Sequence, residues 1–217
     1  MPSLPRRVLL TFVAPGELFE RLRGRPVWGG ALLVGAVLVA LSVLLVPMGV
    51  WETMIQEQMA REGAELPPGF SGGGTVFRIS ALIGGVVFWF LWAFLLAGIL
   101  TLVFAFLLGD EGRYSHYLSV VAHALLITAV GGVLVVPLKI LQNDPSLTLS
   151  LGTFAVFLEE GYLFRVLKAL DLFGLWGYGV MAVGVGKVDP DRSAGVAAVL
   201  LYSFALLGAL VFGIFGG

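Results

Sequence analysis

The 217-residue chain is 59% hydrophobic and only 12% charged, with a net charge of -1 and a mean hydropathy of +0.99. So little polar surface cannot cover a water-soluble domain, and a near-neutral chain without a basic stripe excludes nucleic acid as a partner. The absence of cysteine removes disulfides, thiolate metal sites and thiol catalysis.

At the N-terminus, Arg6 and Arg7 precede a brief apolar run that Pro15, Glu17 and Glu20 interrupt. A cleaved secretory signal needs a longer apolar core, so the segment is expected to be retained. Between about residues 8 and 23, Val8, Leu9, Phe12, Leu18, Phe19 and Leu22 are interleaved with charged residues. That pattern suits a helix lying in the headgroup region, or simply the flank of the first span.

Uncharged stretches follow: Pro26 to Trp51, Ile79 to Gly109, Tyr114 to Leu138, the shorter Leu172 to Gly186, and Ser193 to Gly217. About 20 apolar residues rising ~1.5 Å each cross a hydrocarbon core, and there the backbone must satisfy its own hydrogen bonds. The sequence therefore predicts an all-α, polytopic transmembrane helical bundle in a single domain, with five spans near 27-50, 79-108, 116-141, 170-187 and 193-214.

The segments between the spans carry their own signals. Arg6, Arg7, Arg21, Arg23 and Arg25 precede the first span, while the following loop holds Glu52, Glu57, Glu62 and Glu65 against Arg61. The positive-inside rule then predicts a cytoplasmic N-terminus and an external C-terminus, although Arg165 and Lys168 fall on the outer side. Trp51, Met54, Ile55 and Met59 recur at helical spacing, so an amphipathic helix is expected at about 51-62, before a Pro67-Pro68-Gly69 break. Ser146 to Leu158 is apolar but too short to span and is stopped by Glu159 and Glu160, which predicts a re-entrant or surface-lying helix.

Small residues four apart, such as Ala31 and Gly35, Ala93 and Ala97, or Ala124, Thr128 and Gly132, form ridges that let helix backbones approach. Packing within the bundle is the preferred reading, and self-association is the other.

Ionisable groups at membrane depth need an explanation. Asp171 and Lys168 are three residues apart and would be neighbours if one helix carried both. Alternatively Asp171 is the N-cap of the Leu172 helix, a structural role preferred here over one in transport. His123 lies inside the third span and His116 seven residues earlier, too far apart on a helix to share a metal. His123 is expected to be neutral and hydrogen-bonded to a neighbouring helix, and Lys139 to anchor the outer end of that span. No metal or cofactor site is expected. Glu159-Glu160 with Arg165 is similar to the paired-glutamate signature of intramembrane CAAX-type proteases, but four residues separate Glu160 from Arg165 where that signature has three. Both histidines also lie upstream of the pair.

Leu170-Asp171-Leu172-Phe173-Gly174-Leu175-Trp176 opens the fourth span, which ends in Val183-Gly184-Val185-Gly186 before a charged turn. Pro15, Phe19, Pro26 and Trp28 precede the first span, and Gly112 to His123 joins the second to the third. In order and spacing this resembles the Yip domain family, in a bacterial variant carrying Ala122-His123-Ala124 and Pro137-Leu138. The resemblance implies five spans with the N-terminus inside, an inner-membrane location in a bacterium, and no catalytic residues. Rab binding, implied for eukaryotic members with long cytoplasmic tails, is not carried over to a tail of about 25 residues.

Three functions are compatible with this reading. The preferred one is a non-catalytic membrane scaffold or adaptor that binds lipids, another membrane protein or a second copy of itself. The alternative is a small channel or transporter using Asp171, Lys168 and His123. The remote one is an intramembrane hydrolase.

Overall fold

The computed structural model describes residues 2-61, 63, 73-155, 157-159 and 161-215. Glu62, Glu65, the Pro67-Pro68-Gly69 break and Glu160 lie outside the described residues. Among those described, the chain is helical, with one isolated bridge between Ser150 and Asp171 as its extended pairing.

The first helices are α1 (Leu4–Val13) and α2 (Pro15–Arg23). Ala14, at φ -152° and ψ 62°, breaks the helix, and Pro15 restarts it at a first-turn position where no N–H is needed. The expected surface-lying helix at 8-23 is instead this pair, packed into the bundle. Leu18, Phe19 and Leu22 are buried against α6 and α10, and Leu10 and Thr11 are buried on α1. Arg21 and Arg23 stay exposed at the rim while the apolar stripe faces protein, and Arg7 alone turns inward, its Nε and Nη1 buried.

Next come α3 (Gly29–Leu44) and α4 (Met48–Arg61), bent 73° relative to each other. Pro47 offers no N–H and disfavours helix in the residue before it, which separates the two. Val50, Trp51 and Ile55 of α4 are buried while Glu52 and Glu57 are exposed, as the amphipathic pattern predicts. Helix α5 (Gly73–Leu100) begins before the expected position 79 and takes Arg78 into its body, where the guanidinium donates to the Leu44 carbonyl at the end of α3. It continues as a π-helical stretch, Thr101–Leu107, just after Thr101 donates back to the Ala97 carbonyl at 2.7 Å. Gly109, at φ +77°, ends this span.

Helix α6 (Tyr114–Leu134) continues past a break as α7 (Val136–Leu141), with Pro137 in its first turn. Among its described residues, the region expected to be one helix over 146-158 holds α8 (Leu151–Phe154) alone, started by a Ser150/Thr153 capping box. The residues before α8 have other partners. Leu172 N–H donates to Leu149 C=O and Leu151 N–H to Leu170 C=O, each at 2.9 Å, so the segment lies antiparallel to 170-172. After α9 (Tyr162–Ala169) come α10 (Leu172–Val188) and α11 (Ala194–Phe215).

Among the described residues three helices are long and apolar enough to cross a membrane: Gly73–Leu107, Tyr114–Leu141 and Ala194–Phe215. The bent α3-α4 pair makes a fourth if it counts as one span, whereas α10 has 17 residues, about 25 Å. Five spans were expected, and three to four helices meet the criterion.

Helix α6 is the axis. Its apolar window is 44% buried, against 17% for α11, because α3, α5 and α10 all pack on it. Helices α3 and α5 form one wing, and α10 and α11 the other. Close approach within the first wing depends on Gly35: a Cβ there would lie 1.9 Å from the Trp89 ring, whose Nε1–H donates to Leu32 C=O at 3.0 Å. Ala31, Ala93, Ala97 and Ala124 are all fully buried, so these small-residue positions are used for packing within the chain.

Candidate functional site

The two ends of the bundle differ. At one end the α5-α6 turn meets the α10-α11 turn. Arg192 Nε donates to the Asp110 carboxylate at 3.0 and 3.3 Å, and its guanidinium also reaches Leu108 C=O at 3.2 Å. Asp110 is 8% exposed, and its 82-residue separation from Arg192 in sequence hides the pair from inspection. Asp189 accepts from the N–H groups of Glu111 and Asp191 at 2.8 Å each, and these bonds hold its carboxyl below the usual carboxylate range. Nearby, Lys187 pairs with Glu20 of α2 at 2.9 Å.

The two histidines belong to this structural layer. His116 Nδ1 accepts from Arg113 N–H at 3.0 Å, so its Nε2–H is the donor to Arg23 C=O at 3.2 Å, tying α6 to the end of α2. The hollow beside it is about 10 Å³, space for about one water. His123 is fully buried, with Phe19 edge-on at 6.4 Å. Its Nδ1 bonds Ser119 C=O of its own helix at 2.8 Å, where a neighbouring helix was expected. His123 does not line the groove described next.

Toward the other end the wings part and leave a lateral groove of about 1330 Å³, floored by α6. Its inner limit is apolar, at Leu96, Leu125 and Met181, all buried. Phe88, Trp92, Leu175, Phe204 and Phe212 form its walls, and Gly85, Gly132, Gly177, Ala205 and Gly208 keep it wide. Lys139, Arg165, Lys168 and Asp171 line its outer part. Sequence reasoning singled out Lys168 and Asp171 but treated Lys139 as an anchor and left Arg165 without a role. Their convergence is created by the α7, α9 and α10 ends.

Asp171 is the N-cap of α10, its Oδ1 accepting from Gly174 N–H at 2.8 Å. That cap breaks the helix between α9 and α10, so Lys168 and Asp171 are not helix-face neighbours and form no ion pair among the described residues. Arg165 is anchored instead: its Nε donates to Gly213 C=O of α11 at 2.9 Å, leaving the rest of the fork to the groove. Glu159 does not line the groove, and Glu160 lies outside the described residues.

A model of the Yip1 domain matches residues 9–215. The chain belongs to the Yip1 domain family. It is also similar to membrane protein YknW of Bacillus subtilis, 26% identical over 212 residues, covering 94% of this chain and 87% of that protein. No solved structure matches significantly. With its apolar helices, this makes the chain an integral membrane protein.

The residues that carry the Yip resemblance have visible structural uses here. Pro15 starts α2, Phe19 fills the space beside His123, and Trp28 precedes α3 and stands edge-on to Phe94 at 6.0 Å. Pro26 lines the small hollow by His116. Asp171 caps α10, and Trp176 stands edge-on to Phe12 of α1 at 5.8 Å. Phe173 lies so close over Gly131 that a Cβ there would come within 2.2 Å of its ring. The motif thus joins α10 to both α6 and the N-terminal pair.

Proposed function

We propose that this Yip1-family protein is a non-catalytic membrane scaffold whose working surface is the lateral groove, where it holds another component of the membrane. The observation that carries the reading is the asymmetry of the bundle: Asp110, Asp189 and Arg192 are committed to structural bonds at one end, while the other end opens sideways through walls of small and aromatic residues. His123 stands outside the groove and Asp171 is bonded as a cap, which leaves no paired acid and base among the described groove residues. The channel alternative is disfavoured by the apolar inner limit at Leu96, Leu125 and Met181, where the polar lining stops.

Five spans, from the α3-α4 pair, α5, α6, α10 and α11, complete the reading, with the Asp110 end and the N-terminus cytoplasmic in a bacterial inner membrane. Arg21, Arg23, Arg113, Lys187 and Arg192 at or near that end agree with the positive-inside rule. Because the chain lacks cysteine, single replacements report topology directly: Arg113→Cys should label from inside and Ser146→Cys from outside.

The scaffold reading is tested by placing a photo-crosslinking amino acid at Phe88, Leu175 or Phe204 in the groove, and at Val199 or Leu207 on exposed α11 positions outside its lining. Illumination in native membranes should give defined adducts from the groove positions above those from the outer pair. Equal adducts from both sets would remove the groove as the working surface. Proton or ion flux in liposomes that depends on Asp171 would favour the channel.

A further inference from the structure

We propose that the groove is a site for an anionic phospholipid, with the acyl chains between the wings and the phosphate among Lys139, Arg165 and Lys168. The inference rests on the scaffold reading and names the component held.

Three cationic side chains line the outer part of an apolar groove; among the described lining residues the one carboxylate, Asp171, already accepts from Gly174 N–H, and Asp144, near Lys139 but outside the lining, accepts from Ser146. The local charge therefore calls for an anion. Arg165 is pre-oriented, because its Nε is fixed on Gly213 C=O at 2.9 Å. A planar guanidinium held on one edge offers its remaining N–H groups to phosphate in a fork. Lys168 follows three residues after Arg165 on α9, and Lys139 comes from α7; both reach the same lining on flexible stems.

Size and shape agree. At about 1330 Å³ the groove exceeds the ~300–1,000 Å³ of a small-molecule pocket, and it is open along its side, as an occupant arriving from the bilayer requires. The inner walls are aromatic and aliphatic, and the cations come from the α7 and α9 side of the lining, so the groove is apolar inside and basic toward that side, as one lipid leaflet requires. An apolar helix from a partner would fill the same walls but bring no charge to meet the three cations. Basic groups at an anionic headgroup gain from that attraction.

Gly208 provides a way to fill the groove without disturbing the bundle. It lines the groove, and a Cβ built there meets nothing within 4 Å. Gly208→Phe should therefore occupy the cavity while α11 remains helical.

The test is lipid binding by the purified full-length chain, delipidated in detergent and titrated with phosphatidylglycerol or phosphatidylcholine, with the bound lipid read by native mass spectrometry. The wild type should prefer phosphatidylglycerol by about tenfold or more, the scale that several basic groups at a headgroup provide. The Lys139→Gln/Arg165→Gln/Lys168→Gln variant should lose that preference and keep weak chain binding. Gly208→Phe should lose both lipids, and thermal melting of each variant establishes that it is folded. Equal binding of the two lipids by the wild type, or an undiminished preference in the triple variant, would overturn the proposal. If groove crosslinks in membranes then lead to a protein, the scaffold reading stands and the lipid assignment alone falls. An absence of groove adducts together with a charge-dependent lipid preference would retain the lipid site and remove the scaffold.

Discussion

The two ends of this bundle carry charge in opposite ways. At the Asp110 end every buried carboxylate meets a guanidinium or backbone N–H, and two turns far apart in sequence are tied together. At the Lys168 end the one carboxylate among the described groove residues caps its own helix, and three cations line the cavity. In a low-dielectric setting an ionic group must be compensated, so the closed end is stable by itself, while the lipid proposed for the groove would complete the open end. The wings are joined at one end and receptive at the other.

The sharpest way to break the contrast is Arg192→Ala. The Asp110 side chain is 3% exposed and that of Arg192 18%, so removing the guanidinium strands a buried carboxylate. Such losses cost about 3 kcal/mol or more, and a large drop in melting temperature in detergent is expected. The double variant Asp110→Asn/Arg192→Gln should recover part of it, because no unpaired charge remains. A smaller effect is expected from Gly131→Ala, whose Cβ would overlap the Phe173 ring, with overpacking costing about 1–3 kcal/mol. Thermal melting again measures it, and an unchanged melting temperature would show that Phe173 has room to shift.

At the open end, Asp171 separates a structural role from one in transport. Asp171→Ala should cost about 0.5–2 kcal/mol of stability, while Asp171→Asn should cost little, because asparagine caps as well as aspartate. A transport carboxylate would instead fail in both variants, which liposome flux resolves.

The membrane class was legible because solvation leaves few options for a chain this apolar, and the cap was legible because Asp171 stands just before an apolar run. The two readings of Asp171 were alternatives, and the fold keeps the cap. A residue that caps α10 begins a new helix, so Lys168 three positions earlier cannot share its face. For the N-terminal stretch two readings stayed open, because an amphipathic stripe looks the same against headgroups as against α6 and α10. Arg192 and Asp110 each sit in an ordinary charged turn, and no local pattern pairs residues 82 positions apart. The cationic convergence had the same cause, since α7, α9 and the α10 cap meet only in the folded bundle.

The smallest effect concerns Asp189, and it sharpens the account of the closed end. The N–H groups of Glu111 and Asp191 favour its ionised form, so its folded pKa lies below the unfolded value of about 4. A carboxylate depressed on folding stabilises the native state at pH values above that unfolded value, and the contribution disappears as pH falls through the lower folded value. Asp189→Asn removes the contribution at every pH. Melting curves recorded from pH 7 to pH 3 should therefore show wild type above Asp189→Asn near neutrality, with the gap narrowing below about pH 4. A gap independent of pH would mean that the shape of the side chain, rather than its charge, holds the α5-α6 turn against the α10-α11 turn. The tie at that end would then rest on Asp110 and Arg192 alone.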